Sequence, residues 1–107
     1  MSDPRIIRLE QTIRERAASG ASDSYVASLF SKGREKIAQK VGEEATETVI
    51  AAVTGNSEQL TSEAADLVFH LLVLLAEAGQ SFDDVLDKLA QREGLSGLDE
   101  KASRREP

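Results

Sequence analysis

A chain of 107 residues is long enough for one domain with a modest core and too short for two ordinary ones. The absence of cysteine excludes a disulfide framework and any thiolate metal site, and no basic stretch leading into an apolar one opens the chain, so neither a secretory signal nor an extracytoplasmic location is expected. The net charge of −6 is uneven: residues 1–42 carry 8 Lys/Arg against 5 Asp/Glu, whereas 43–100 carry 2 against 13, a poor surface for a nucleic-acid backbone and a good one for divalent cations.

Asp3 followed by Pro4 reads as a helix start, with the aspartate as cap and the proline at the first helical position. Ile6, Ile7, Leu9 and Ile13 supply an apolar stripe, and Ala17-Ala18-Ser19-Gly20 stops it, which predicts a helix over about 4–18. The polar connector Ala21-Ser22-Asp23-Ser24 can cap the next helix. Tyr25, Val26, Leu29 and Phe30 then suit one or two helical turns ending at Lys32-Gly33.

From Arg34 to about Thr54 the pattern is helical again, with Ile37, Val41, Ala45, Thr48 and Ala52 on one stripe. Gly42 inside it costs about 1 kcal/mol relative to alanine, so a close-approach reason is expected. Gly55-Asn56-Ser57 breaks the chain and caps a helix of about 58–78 that is apolar nearly all round and should be the most buried element. Its most apolar run, Ala64 to Ala76, is 13 residues long and holds Asp66 and His70, against the roughly 20 that a membrane span needs, so no membrane association is expected. Gly79 ends it, and Ser81 caps a last helix with Asp83 and Asp84 in its first turn and Val85, Leu86 and Leu89 facing inward. From Gly94 onward glycine, serine and charge dominate. The expected organisation is a single domain over 1–93 with a flexible tail over 94–107.

No period-2 strand appears, so the expected fold is all-α: a helical bundle built on the two long helices. A central helix apolar on all sides is hard to cover within so small a chain. Completion of the bundle as a homodimer, with the long helices packed across the subunit boundary, is therefore predicted.

The stretch Lys40 to His70 concentrates the chemistry. Glu44 with Glu47, and Glu63 with Asp66, are pairs three residues apart on the two long helices, so each pair projects from one side about one turn apart. If the helices pack face to face the four acids converge and repel, unless a cation sits among them. Hard oxygen ligands of this type suit Mg²⁺ or Mn²⁺. Taking Val41 as the centre of the core stripe, Glu44 falls about 60° and Glu47 about 120° to one side, with Lys40 between them and Glu43 further out toward solvent. Relative to Leu67, Glu63, His70 and Asp66 fall within an arc of about 40° to 100°.

Each feature also has a plainer reading. Acids three or four apart are common on solvated helix faces, which suits the first pair equally well, whereas Asp66 interrupts an apolar run and is harder to explain as surface. His70, the only histidine, reads as a hydrogen-bonded supporting group rather than a ligand, and the lack of Glu-x-x-His motifs disfavours di-iron chemistry. Lys32, Arg34, Lys36 and Lys40 either pair with Glu35, Glu43 or Glu44, or hold the phosphates of a substrate. Neither a P-loop nor a dinucleotide fingerprint is present.

At Glu43-Glu44-x-x-Glu47 and Glu63-x-x-Asp66 the chain resembles the MazG-like all-α nucleoside triphosphate pyrophosphatases. The wider run of Ser24-Tyr25-Val26, Leu29-Phe30, Lys32-Gly33, KVGEEATETVIAA, EAADLVFHLLVLLAEAG and Asp83-Asp84-Val85 is closer to the phosphoribosyl-ATP pyrophosphatase family of histidine biosynthesis, over about residues 5–93. Phe69 stands where many relatives are expected to carry tyrosine. The resemblance implies a cytoplasmic, Mg²⁺-dependent enzyme that hydrolyses phosphoribosyl-ATP to phosphoribosyl-AMP and pyrophosphate. It implies Glu44, Glu47, Glu63 and Asp66 as metal ligands, Glu43 or Glu47 as the base for water, and Lys32, Arg34, Lys36 and Lys40 as phosphate contacts. It also implies a separate cyclohydrolase for the next step. The competing readings are a house-cleaning (d)NTP pyrophosphatase of the same fold and a non-enzymatic helical interaction dimer.

Overall fold

The computed structural model describes residues 3–20 and 22–93; the expected tail from residue 94 lies outside them. Among the described residues there are five helices and no strand: α1 (Pro4–Ser19), α2 (Tyr25–Lys32), α3 (Arg34–Val53), α4 (Ser57–Glu77) and α5 (Phe82–Arg92). The all-α class is as expected, and each helix lies within a residue or two of its sequence-based range.

Local chemistry explains those boundaries. The Asp3 carboxylate accepts the Arg5 N–H at 2.8 Å, and Pro4 needs no partner for a missing donor. Ser24 Oγ accepts from the Ala27 N–H at 3.1 Å, and Asn56 Oδ1 from the Gln59 N–H at 2.9 Å. At α5 the Ser81 hydroxyl accepts the Asp84 N–H while the Asp84 carboxylate accepts the Ser81 N–H at 2.8 Å, a reciprocal capping box. Gly33 (φ 95°, ψ 172°) ends α2 by donating to the Leu29 and Phe30 carbonyls and is at once the residue that opens α3.

The core gathers Ile13 of α1, Val26 and Leu29 of α2, Ile37 of α3, and Leu72 and Val73 of α4. Each such side chain taken from water stabilises the fold by roughly 1.5–3 kcal/mol. Ile6, Leu9, Phe30, Phe69 and Phe82 close over this cluster. It is built at one end of the molecule, where the C-terminal half of α4 meets α1, α2 and the start of α3. The rest of α3 and α4 forms an extended helical hairpin, the most extensive helix pair in the chain.

Three expectations about packing are corrected. The buried line of α3 runs through Ile37, Glu44 and Ala51 rather than being centred on Val41. Residues seven apart drift only about 20° on a helix, so these three form one stripe, turned about 60° from the Val41 direction, with Glu44 in its middle instead of at its margin. Second, α4 is not buried all round: its fully buried residues are His70, Leu72 and Val73, while Leu60, Ala64, Leu67, Leu71 and Leu75 are half-buried and Val68 is exposed. Among the described residues too few neighbours lie beside the hairpin to cover both flanks. Although α4, with a mean hydropathy of 1.3, is long and apolar enough to cross a membrane by length and composition alone, Glu63 and Asp66 lie within it. Third, α5 buries no residue fully, and Leu89 is 56 % exposed. Its first turn is held by Phe82 on the core and by the Phe82 N–H donating to the Glu10 carboxylate at 2.8 Å, and Val85 and Leu86 are half-buried.

Gly42 also differs from expectation. A Cβ there would meet nothing within 4 Å, so no neighbour among the described residues requires the glycine. It lies about 100° from Val41, on the same exposed side as Val49 and Val53.

Candidate metal and phosphate site

The hairpin brings the second turns of the two acid motifs together. Glu44 on α3 and Glu63 and Asp66 on α4 each offer one carboxylate oxygen, and these oxygens all lie within 4.8 Å of one another. Glu44 is only 8 % exposed, because the α3 stripe that carries it also carries Ile37 and Ala51 into the packing. In two of these residues one carboxylate oxygen, Glu44 Oε2 and Glu63 Oε2, is buried without a hydrogen-bond partner. A buried acceptor left unsatisfied is costly, and a buried charge more so, unless a cation or a proton compensates it.

Electrostatics at these groups point the same way. Burial, followed by contact with Glu47, pushes the Glu44 carboxyl above the usual glutamate range. The Glu63 carboxyl is raised first by a hydrogen bond with Glu47, then by burial and by the charges of Glu47, Glu44 and Asp66. Glu47, expected as a fourth ligand, is exposed and lies near both, outside the group of three. The donor set, hard oxygens with orphaned lone pairs, fits Mg²⁺ or Mn²⁺.

Glu43 is not part of this group. Its carboxylate accepts from the Gln39 amide at 2.8 Å and from Lys40 Nζ at 3.2 Å, which hold it below the usual glutamate range. The Lys40 ammonium, 3.2 Å from the Glu43 carboxylate, is raised above the usual lysine range first by that contact, with smaller contributions from Tyr25 and Glu44. Lys36 adds positive charge near Glu43. The other two basic residues are placed differently. Arg34 Nε donates to Glu77 at 2.6 Å, tying the start of α3 to the end of α4, and Lys32 is exposed at the end of α2.

His70 is buried and both its ring nitrogens are engaged. Nδ1 lies 2.7 Å from the Asp66 carbonyl oxygen, which can only accept, so Nδ1 carries the proton; Nε2 lies 2.8 Å from the Tyr25 hydroxyl, which donates to it in the neutral ring. Tyr25 and Phe69 both meet the ring edge-on. This chain of contacts joins α2 to the turn of α4 that presents Asp66. In the sequence Tyr25 reads only as an apolar helix residue, and nothing local marks a partner 45 positions away.

A cavity of about 320 Å³ adjoins the cluster at the α3–α4 turn. Glu47 and Glu63 form its inner edge, and Ile50, Ala51, Thr54, Asn56 and Gln59 form its walls. None of these wall residues stands out as functional in the sequence, where Asn56 is legible only as a cap.

Helices that bring Glu44, Glu63 and Asp66 together define a class: an all-α protein with a carboxylate cluster of the kind that could hold a divalent cation. The comparisons narrow the class to a family. The family described as phosphoribosyl-ATP pyrophosphohydrolase matches residues 6–93. Curated relatives named phosphoribosyl-ATP pyrophosphatase include one from Rhizorhabdus wittichii, 64 % identical over 91 % of this chain and 92 % of its own length. Others are from Erythrobacter litoralis, 63 % identical over 91 % of this chain and 93 % of its own length, and Zymomonas mobilis, 55 % identical over 97 % of both. The chain belongs to the phosphoribosyl-ATP pyrophosphohydrolase family.

Proposed function

We infer that this chain is a cytoplasmic enzyme of histidine biosynthesis that hydrolyses phosphoribosyl-ATP to phosphoribosyl-AMP and pyrophosphate. Water adds across the phosphoanhydride between the α- and β-phosphates, and that bond breaks. The observation that carries the reading is the convergence of Glu44, Glu63 and Asp66, two of which each hold a buried, unpartnered oxygen, in a chain of this family. Glu44, Glu63 and Asp66 hold Mg²⁺, with Glu47 beside them as the fourth carboxylate. The bound ion supplies neutralisation of phosphate charge and of the leaving pyrophosphate.

The chain's own groups do the rest. Of the two acids considered as base, Glu47 lies beside the cluster, while Glu43 is engaged by Gln39 and Lys40 on the flank, which favours Glu47 as acceptor of the water's proton. Lys40 and Lys36 meet phosphate oxygens. Arg34 is committed to Glu77, so its part is to fix the ends of the hairpin rather than to bind phosphate. His70, through Tyr25 and the Asp66 carbonyl, supports the α4 turn.

The enzyme works as a homodimer. The exposed apolar side of α3, with Val49 60 % and Val53 78 % exposed, and the half-buried leucines of α4 form a face that a second copy covers. Gly42 on that face leaves room for a partner helix to approach. A Val53→Asp variant should sediment as a monomer, and a wild-type monomer at micromolar concentration would refute the dimer. The product passes to a separate cyclohydrolase.

The decisive assay is pyrophosphate release from phosphoribosyl-ATP beside a panel of dNTPs, with and without Mg²⁺. Wild type should prefer phosphoribosyl-ATP and require the ion, and Glu63→Gln should lose at least about 100-fold while remaining folded. Preference for a plain dNTP would overturn the substrate assignment, and Mg²⁺-independent turnover would overturn the site.

A further inference from the structure

We propose that Tyr25 is a positioning residue of the carboxylate site: its hydroxyl orients His70, and His70 in turn holds the turn of α4 that presents Asp66. This rests on the divalent-cation role of the cluster inferred above and adds to it a side chain from a third helix. Of the three converging acids, Glu44 is buried and Glu63 half-buried, whereas Asp66 is exposed. Packing therefore fixes the direction of Glu44, while that of Asp66 depends on the setting of its own helical turn. His70 grips that turn at the backbone, its Nδ1–H donating to the Asp66 carbonyl oxygen at 2.7 Å.

The grip depends on which way the imidazole faces. A half-turn of the ring about its Cβ–Cγ bond would put a carbon in the place of Nδ1 and leave the Asp66 carbonyl without this donor. The Tyr25 hydroxyl, 2.8 Å from Nε2, opposes that flip, because the flipped ring offers it a carbon instead of an acceptor. His70 is 6 % exposed, so bulk water is a poor substitute for either partner. Phe69 and Tyr25 both stand edge-on to the ring, at centroid distances of 5.2 and 5.7 Å. Tyr25 itself is placed from outside the acidic hairpin. It is the first residue of α2, directly after the Ser24 cap, and Val26 and Leu29 fix that helix in the core. Its own side chain is 50 % exposed and stacks on Phe69 at 6.2 Å, so burial contributes less here than for a core aromatic and the hydroxyl contact sets the residue apart.

Mn²⁺ binding separates a role in position from one in stability alone. Affinity is read without substrate, by electron paramagnetic resonance of the free ion, on wild type, Tyr25→Phe, His70→Asn and the double variant, each well below its melting transition. His70→Asn keeps an amide donor for the Asp66 carbonyl and loses the acceptor for Tyr25. Ile13→Val, a truncation in the α1 part of the core, supplies a variant that is destabilised with the acids and their supports unchanged. Tyr25→Phe should weaken Mn²⁺ by about threefold to tenfold, the range that one lost hydrogen bond supports. It should raise the Mg²⁺ needed for half-maximal pyrophosphate release by the same factor, with kcat at saturating Mg²⁺ within about twofold of wild type. Ile13→Val should bind Mn²⁺ as wild type does. In the His70→Asn background Tyr25→Phe should have no further effect, because the tyrosine acts through the histidine. A Tyr25→Phe protein that binds Mn²⁺ as wild type does, an equal loss in Ile13→Val, or full additivity in the double variant overturns the positioning role and leaves the hydrolysis intact. A wild-type protein that binds no Mn²⁺ and needs no Mg²⁺ for turnover overturns the metal site and the positioning role with it.

Discussion

Replacing Glu44 by glutamine should stabilise the metal-free protein and abolish its response to Mg²⁺. Glu44 is nearly buried, one of its oxygens has no partner, and Glu47, Glu63 and Asp66 crowd it with like charge. Glutamine keeps the shape, removes the charge and brings an N–H₂ that can donate to those neighbours. An unsatisfied buried polar group costs about 1–3 kcal/mol, so relief of this one should raise the metal-free melting temperature by roughly 5 °C or more. The sign of the pH dependence comes from the raised carboxyls of Glu44 and Glu63. Between their ordinary value of 4.5 and the higher folded values, the native state holds more protons than the unfolded one. The stability these protons contribute is complete below that ordinary value and is lost as pH rises through the folded values. Metal-free wild type should therefore gain stability on acidification from pH 7 toward 5, and Glu44→Gln should show a flatter profile. Saturating Mg²⁺ replaces the proton and should reverse the slope for wild type alone. Differential scanning calorimetry over pH 5–8, with EDTA or with Mg²⁺, reads all of this. A Glu44→Gln protein that melts at or below wild type in EDTA, or that gains as much from Mg²⁺, would refute the reasoning.

Three further substitutions probe the frame around the site. Gly33→Ala forces an L-residue into φ 95°, ψ 172°, a region only glycine occupies readily, and since a Cβ there meets no neighbour the cost is backbone strain alone, about 2–3 kcal/mol and a melting temperature lower by roughly 10 °C or more. Tyr25→Phe deletes the hydroxyl that donates to His70 and should lower stability by about 1 kcal/mol in urea titration; an unchanged midpoint would mean that the contact does not form in solution. Ser81→Ala removes half of the capping box on a helix with no fully buried residue, so amide hydrogen exchange across 82–92 should quicken by about fivefold while the global urea midpoint moves little.

The helix boundaries were legible because their causes are local. Asp3-Pro4, Ser24, Asn56 and Ser81 cap within three residues of themselves, and Gly20 and Gly33 take up the positive φ that ends a helix. The meeting of Glu44, Glu63 and Asp66 was legible for a related reason: spacing of three residues sets direction, and the short connector at 54–56 leaves α3 and α4 little choice but to pack on each other. The depth of Glu44 was not. An angle measured from Val41 assumes that apolar residues mark the centre of burial, and here a carboxylate of the acidic cluster occupies that centre. Nor were the links from Tyr25 to His70 and Arg34 to Glu77, at separations of 45 and 43, because no periodicity encodes such pairs. The half-exposed leucines of α4 reflect a further limit, since hydropathy records that a surface seeks cover but not which molecule supplies it.

Gly33 has a consequence for how this chain can vary in length. It is the sole residue between α2 and α3, so Tyr25 is coupled in rotation to the helix bearing Lys40 and Glu44. Adding or deleting one residue at this elbow would change the angle and spacing between α2 and α3 and carry the hydroxyl out of reach of His70. The interval from Tyr25 to Glu47 thus behaves as a ruler whose length is part of the site, and tolerance for insertions should fall to nearly nothing across it.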